Sequence, residues 1–342
     1  MRYLAVLLSL AMILCGQQPR ADPEIDRAIR DSVIDALGAK IEAGYVVPEA
    51  AEIAVRSLRS ARSSGAYDGF GTARKFAEKL TFDLRSATHD KHLAVFFDPV
   101  PSMPTKPSGA PAQSHERFNF GFNKVERLRG NVGYLELRSF ANLEEARETA
   151  STYLDALANF DAIILDLRQN GGGNTPMAAY VASYFFSSRP VHLSDMYWRD
   201  QDQTVEVWTL ERVQGRRSVH QALYLLVGPS TFSAAEDFCY SLQQLKRATL
   251  IGATTGGGAH MGCGLQRLSP LFTVFIPTGT SVNPVTKSNW ENIGVKPDVE
   301  VPAEKAIAEA HVLALRRIAE RELDPMWLGE LRKAIEDLAS TK

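Results

Sequence analysis

Ser233 sits at a bend that suits an activated nucleophile. The preceding run, Leu223-Tyr224-Leu225-Leu226-Val227, is short, continuous and apolar, as in a strand buried on both faces. Gly228 and Pro229 end it, and Ser230 or Thr231 can cap a helix that starts near Ser233 and continues through Ala234, Ala235, Glu236 and Phe238. A strand, a tight turn and a helix N-terminus leave backbone N–H groups and the positive end of the helix dipole around the serine. Taken alone, Ser233 reads more readily as a helix cap, since serine is a common one, and the rest of the chain reverses that.

Two further glycine-rich stretches follow predicted strands. One is Asp166-Leu167-Arg168-Gln169-Asn170-Gly171-Gly172-Gly173-Asn174, and the other is Thr254-Thr255-Gly256-Gly257-Gly258-Ala259-His260. In an open α/β sheet, ligands bind beyond the carboxyl ends of the strands, and glycines there let backbone N–H groups approach an anion. Gly171, Gly172 and the N–H of Ala234 are therefore the expected oxyanion donors. For the base there are two histidines. His92 lies in Thr88-His89-Asp90-Lys91-His92, where a helix gives way to a strand-like run, and His260 closes the third glycine stretch. Glu291, in the loop Asn289 to Asp298, is a carboxylate that could orient a histidine.

These residues need a scaffold. Helical spacing predicts three short amphipathic helices across 24–90, and Pro, Ser and Gln without periodicity predict a linker over 98–117. From about 119, strands alternate with helices. Strands are expected at Val132–Leu137, Ala162–Leu167, Leu223–Val227, Ala248–Ile251 and Leu271–Ile276, with helices at Glu144–Ala158 and Pro176–Phe186. A polar hairpin is expected near Val191–Trp198 and Thr204–Arg212, and two helices close the chain. The expected fold class is α/β, a mostly parallel sheet of βαβ units with flanking helices, plus a small N-terminal helical bundle. The expected division is a signal peptide at 1–21, the bundle at 22–97, the linker at 98–117 and a main α/β domain at 118–342.

At 342 residues the chain is long enough for a sizeable core, and a formal net charge of −2 gives no electrostatic case for nucleic acid. No Cys/His spacing indicates zinc and no glycine motif indicates a nucleotide, so neither metal nor cofactor is expected. The apolar run Tyr3–Leu14 after Arg2 is too short to span a bilayer and reads as a secretory signal, which implies a periplasmic or secreted chain. Membrane anchorage would require lipidation of Cys15, but Leu14 stands where lipoprotein signals have a small residue. Cys239 and Cys263 lie near the presumed site and are expected to be close enough to pair.

Taken together and in this order, the motifs resemble the tail-specific (carboxy-terminal-processing) protease family. These are Gly65-Ala66-Tyr67-Asp68, Asp90-Lys91-His92-Leu93, the Asp166 and Thr254 glycine stretches, Thr231-Phe232-Ser233-Ala234-Ala235-Glu236 and Glu291-Asn292-Ile293-Gly294-Val295-Lys296-Pro297-Asp298. The chain is most similar to the branch that resembles interphotoreceptor retinoid-binding protein and the tricorn protease core. The resemblance implies a crotonase-like or ClpP-like βαβ core and a serine peptidase acting on peptide or protein substrates. Ser233 matches the nucleophile. The family's dyad lysine falls at Gly258, so the implied triad is instead Ser233, His92 and Glu291, with His260 as a substrate contact or alternative base. Two features depart from the family pattern: no PDZ-like domain precedes the core, and Lys91 stands where tricorn-like sites have a serine. The alternative function is a non-catalytic carrier of retinoid-like or lipid-like ligands on the same fold.

Overall fold

The computed structural model describes residues 22–97 and 116–340. The expected signal peptide and nearly all of the expected linker lie outside the described residues. A six-stranded sheet organises the chain, in the order β13-β8-β7-β4-β3-β2. Its strands are β2 (Phe122–Leu128), β3 (Val132–Leu137), β4 (Ala162–Asp166), β7 (Ala222–Val227), β8 (Thr249–Gly252) and β13 (Val299–Glu300). All neighbours are parallel except β2, which runs antiparallel to β3. The continuous apolar runs of β4 and β7 are explained by this position: helices cover both faces. Helices α4 (Leu143–Leu157), α5 (Thr175–Ser183) and α6 (Ala234–Gln244) contribute to one core, and α7 (Ala306–Ala319) and α8 (Pro325–Ser340) to the other. This is the expected mixed α/β architecture with a parallel-rich central sheet.

The N-terminal helices are α1 (Arg27–Gly44), α2 (Pro48–Ser63) and α3 (Ala73–Thr88), close to their expected bounds. They do not close a core among themselves. Leu37, Leu58, Phe76 and Leu80 share one apolar cluster with Phe272, Val274 and Ile276, far along the chain. Strand β1 (Ala94–Phe97) pairs antiparallel with β11 (Phe272–Phe275), which also pairs with β10 (Leu265–Ser269). The loop before β1, which carries Asp90 and His92, is thereby fixed against the main domain.

A second sheet has the order β6-β5-β12-β9, and Met196, Val207, His260 and Ser281 from it line one cavity with Gly173 and Ser233. Its hairpin, β5 (His192–Trp198) and β6 (Gln203–Trp208), was expected; β9 (His260–Met261) and β12 (Gly279–Val282) are two to four residues long and have no periodicity to reveal them. No helix among the described residues is long and apolar enough to cross a membrane. The expected cysteine pair does not form, since Cys239 is a buried free thiol within the core and Cys263 is free and exposed.

Candidate active site

Ser233 itself caps α6, rather than Ser230 or Thr231, and adopts φ 57° and ψ −125°. A non-glycine residue in that region is strained by about 1–3 kcal/mol, and a serine on such a strand-to-helix turn is held out at the carboxyl edge of its sheet. Thr231 serves the turn instead: its hydroxyl donates to the Leu167 carbonyl at 2.8 Å and accepts from the Gly228 N–H at 3.0 Å. The Phe232 N–H donates to the Asn170 carbonyl and the Gly256 N–H to the Thr231 carbonyl, so the three glycine-rich stretches meet as the sequence suggests.

Glu236 holds two of these stretches together. Its fully buried carboxylate accepts from the N–H groups of Ser233, Gly257 and Gly258 at 2.9, 2.7 and 2.8 Å, and from the Thr255 hydroxyl. Burial raises its pKa, and these four donors oppose the shift. Glu236→Ala leaves four buried donors without an acceptor. We expect it to lower unfolding stability by about 3–5 kcal/mol in denaturant titrations. A loss below about 1 kcal/mol would show that the carboxylate does not hold the loop.

The expected oxyanion donors need one correction. The Gly172 N–H donates to Asn170 Oδ1 at 2.9 Å and is not available to a ligand. The need for glycine there is steric, because a Cβ at position 172 would lie 2.8 Å from Ser233 Cβ and 2.9 Å from Ala234 N. Gly171 stands apart, exposed and without such neighbours. The Ala234 N–H is a first-turn donor without an intrahelical acceptor, and Ala234 lines a cavity of about 750 Å³ together with Gly173, Ser233, His92 and His260. Part of the cavity wall is apolar, formed by Met196, Trp198, Val207, Trp208 and Leu210.

His92 is placed by a tight polar turn. Helix α3 ends at His89 in the left-handed conformation (φ 59°), and Asp90 then accepts the His92 backbone N–H at 2.8 Å. The His92 ring lies over Phe232, with centroids 4.5 Å apart. This packing explains the missing lysine. A Cβ at position 258 would lie 2.3 Å from Phe232 Cζ and 2.7 Å from His92 Cε1, so the histidine and its packing partner occupy the space a side chain there would need. The Trp290 indole donates to the Gly258 carbonyl at 3.0 Å and fixes this approach. Lys91 donates to the Gly256 carbonyl, so it ties the His92 turn to the glycine loop where the resemblance would have a serine.

The expected Glu291 to His92 contact is not formed. Glu291 Oε2 accepts from the N–H groups of Ala259 and His260 at 2.5 and 3.1 Å, and Oε1 lies 3.7 Å from His260 Nδ1. The carboxylate beside His92 is Asp90, whose Oδ1 lies 4.0 Å from His92 Nδ1, beyond hydrogen-bond range. His92 Nδ1 and Glu291 Oε1 are both buried without a hydrogen-bond partner. Asp90 is completely buried and is the hub of the cluster: it accepts from His260 Nδ1 at 2.8 Å and from the Tyr45 hydroxyl at 3.0 Å, besides the His92 backbone. Tyr45 lies just past the C-terminus of α1, so the N-terminal helices complete the site. Asp90, His260 and Glu291 bring ligand-type atoms within 4.8 Å of one another, the donor types a divalent cation accepts.

The electrostatics separate the two histidines. Burial lowers His92 to about 4; Asp90 opposes this and His260 adds to it. Burial also acts to lower His260, but the Asp90 hydrogen bond and the charges of Glu291 and Asp90 outweigh it and raise its pKa. Burial acts to raise Asp90, but the bond from His260 and the two histidine charges hold it below the usual carboxylate range. Glu291 is raised by burial, against the opposing effect of His260. At neutral pH His92 is thus a neutral imidazole able to accept a proton, while His260 is biased toward the cation.

Comparison with known proteins gives the family and the fold. The model for peptidase family S41 matches residues 131–301, and that for the N-terminal domain of S41 peptidases in eukaryotic interphotoreceptor retinoid-binding protein matches residues 25–119. Over 189 residues the chain is 26% identical to a carboxy-terminal-processing protease of Bartonella bacilliformis, covering 51% of this chain and 40% of that protein. It is 26% identical over 180 residues to the chloroplastic carboxyl-terminal-processing peptidase 3 of Arabidopsis thaliana, covering 49% of this chain and 31% of that protein. The match therefore spans less than half the length of these curated relatives. Among solved structures, a putative peptidase from Parabacteroides merdae shares the fold with a TM-score of 0.58 at 17% identity, over 84% of this chain and 96% of that one.

Proposed function

The chain belongs to peptidase family S41, and from that premise we propose that it is a serine peptidase of peptide or protein substrates in which Ser233 is the nucleophile and His92 the base. The observation that carries this reading is the strained Ser233 at a helix N-terminus, facing one cavity with a histidine that burial keeps neutral. Ser233 Oγ attacks the carbonyl carbon as its proton passes to His92. The oxyanion is met by the N–H of Ala234 and that of Gly173, a donor pair typically worth ~10²–10³ in rate per member. His92 then gives the proton to the departing amine, and the same ring activates the water that releases the acyl group. Asp90 stabilises the imidazolium, across a contact expected to tighten when substrate fills the cavity. Glu291 acts at one remove, by holding His260 and the 259–260 backbone. The apolar run Tyr3–Leu14 supports the further reading that the chain is exported.

The test is covalent labelling. A fluorophosphonate should modify Ser233 and no other serine, read by mass spectrometry of the peptide that contains it. The apolar wall of the cavity would equally suit a carried lipid-like ligand, and an unreactive Ser233 would favour that carrier reading. The pH dependence is a second check. Because His92 is lowered to about 4, the labelling rate should stay flat through pH 6 and fall only as the ring protonates near pH 4. A fall centred near pH 6.5, the ordinary histidine value, would contradict a buried neutral base.

A further inference from the structure

Asp237 lies one helical turn beyond Ser233 on α6, so the two residues share a helix face. It lines the same cavity as Ser233 and His92, and the reaction described above makes no use of it. Its surroundings are unusual for a carboxylate. Ser194 Oγ donates to Oδ2 at 3.0 Å, whereas Ser241 and Ser281 approach Oδ1 only at 3.4 Å. The Ser241 hydroxyl has one proton and a better acceptor, the Leu193 carbonyl at 2.9 Å. Among the described residues, no Lys, Arg or His pairs with Asp237. Position in the first turn of α6 and three serines reduce the cost of this negative charge, but a carboxylate can accept about four hydrogen bonds, and Oδ1 has no short one. Burial raises Asp237 to about 6, with the serines opposing, so at pH 7.5 it is an anion. The same cavity is lined by Trp198, Val207, Leu210 and Trp208, an apolar surface suited to an aliphatic stem whose charged end meets the carboxylate.

We propose that Asp237 is a specificity-determining residue, the floor of a subsite that takes the cationic side chain of a lysine or arginine next to the scissile bond. The inference rests on Ser233 being the nucleophile, because that is what places the subsite beside the bond to be cut. A substrate cation would supply the missing partner for Oδ1 in a setting where pairing a desolvated charge is worth more than at the surface. A neutral side chain of the same length would fill the apolar wall and leave the carboxylate unpaired, so discrimination comes from penalty as well as attraction.

Two measurements on the described chain test this. The first compares labelling of Ser233 by two peptidyl diphenyl phosphonates that differ only in carrying lysine or norleucine at the residue that mimics the acyl side. The lysine reagent should react at least about tenfold faster, and Asp237→Asn should erase the ratio by slowing the lysine reagent while the norleucine rate holds or rises, which also reports that the variant is folded. Equal rates in the wild type, or a ratio unchanged by Asp237→Asn, would overturn the proposal. The second titrates Ser233→Ala protein calorimetrically with n-pentylguanidinium and needs no turnover. Binding that Asp237→Asn weakens about tenfold supports the subsite even if neither phosphonate reacts, in which case it is the peptidase reading that falls. Absence of binding overturns the subsite.

Discussion

Ser233→Ala and His92→Ala should each lower peptide hydrolysis by on the order of 10⁴–10⁶, by similar amounts, because nucleophile and base act as a unit. His260→Ala should cost far less, on the order of 10–10². The difference follows from where the two rings are anchored. His260 Nδ1 is committed to Asp90, and that bond with the charges of Glu291 and Asp90 outweighs burial and favours its cation, the form that cannot accept a proton. His92 is neutral, has an unpartnered Nδ1, and lies over Phe232, the residue just before the nucleophile. Steady-state kinetics and fluorophosphonate labelling of the three variants would check this. If His260→Ala abolished turnover while His92→Ala left most of it, the pair would be Ser233 with His260. The same packing makes Gly258 informative. A methyl group there must displace Phe232 or His92, so the position where the resemblance would put a lysine is closed to a side chain by those two rings.

The sequence made visible what depends on local pattern. Strands β4 and β7 are buried on both faces and appear as nearly unbroken apolar runs, β3 shows the alternation of a strand, and the glycine stretches mark the edge where they converge. It could not show what depends on distant pairing. Strands β9 and β12 are defined by partners rather than periodicity. Asp90, two residues before a histidine at a helix end, looks like an ordinary turn carboxylate. Only the fold shows it sealed from water by Tyr45 and His260, from far upstream and downstream. Motif resemblance places Glu291 in the site but not on a particular atom, and the structure puts His260 where the direct contact to His92 was expected. Asp237 carries no motif, since its three serines come from β5, α6 and β12.

Which carboxylate serves His92 can be decided by comparing Asp90→Asn with Glu291→Gln. The aspartate accepts on both oxygens: Oδ1 from the His92 N–H, and Oδ2 from His260 Nδ1 and the Tyr45 hydroxyl. An asparagine has one acceptor and one donor end. If the amide nitrogen faces His92, the turn that aims the base loses its bond; if it faces His260, that ring must change tautomer and Tyr45 loses its acceptor. Either way a buried charge leaves the cluster and at least one donor is stranded, so stability should fall by about 3–5 kcal/mol. The imidazolium formed as Ser233 attacks would also lose its nearest counter-charge. The kcat should drop by on the order of 10³–10⁴, with KM much less affected, as for a base left in the wrong tautomer without its carboxylate. The sign of the pH effect is fixed as well. Asp90 opposes the lowering of His92, so its removal should move the acid limb to still lower pH. Glu291→Gln keeps an oxygen for the Ala259 and His260 N–H groups, and its loss of kcat should stay within about tenfold. The opposite ranking, with Glu291→Gln crippling and Asp90→Asn mild, would mean that substrate binding moves Glu291 onto His92 and that the carboxylate aligned by the unliganded fold is not the one used in the reaction.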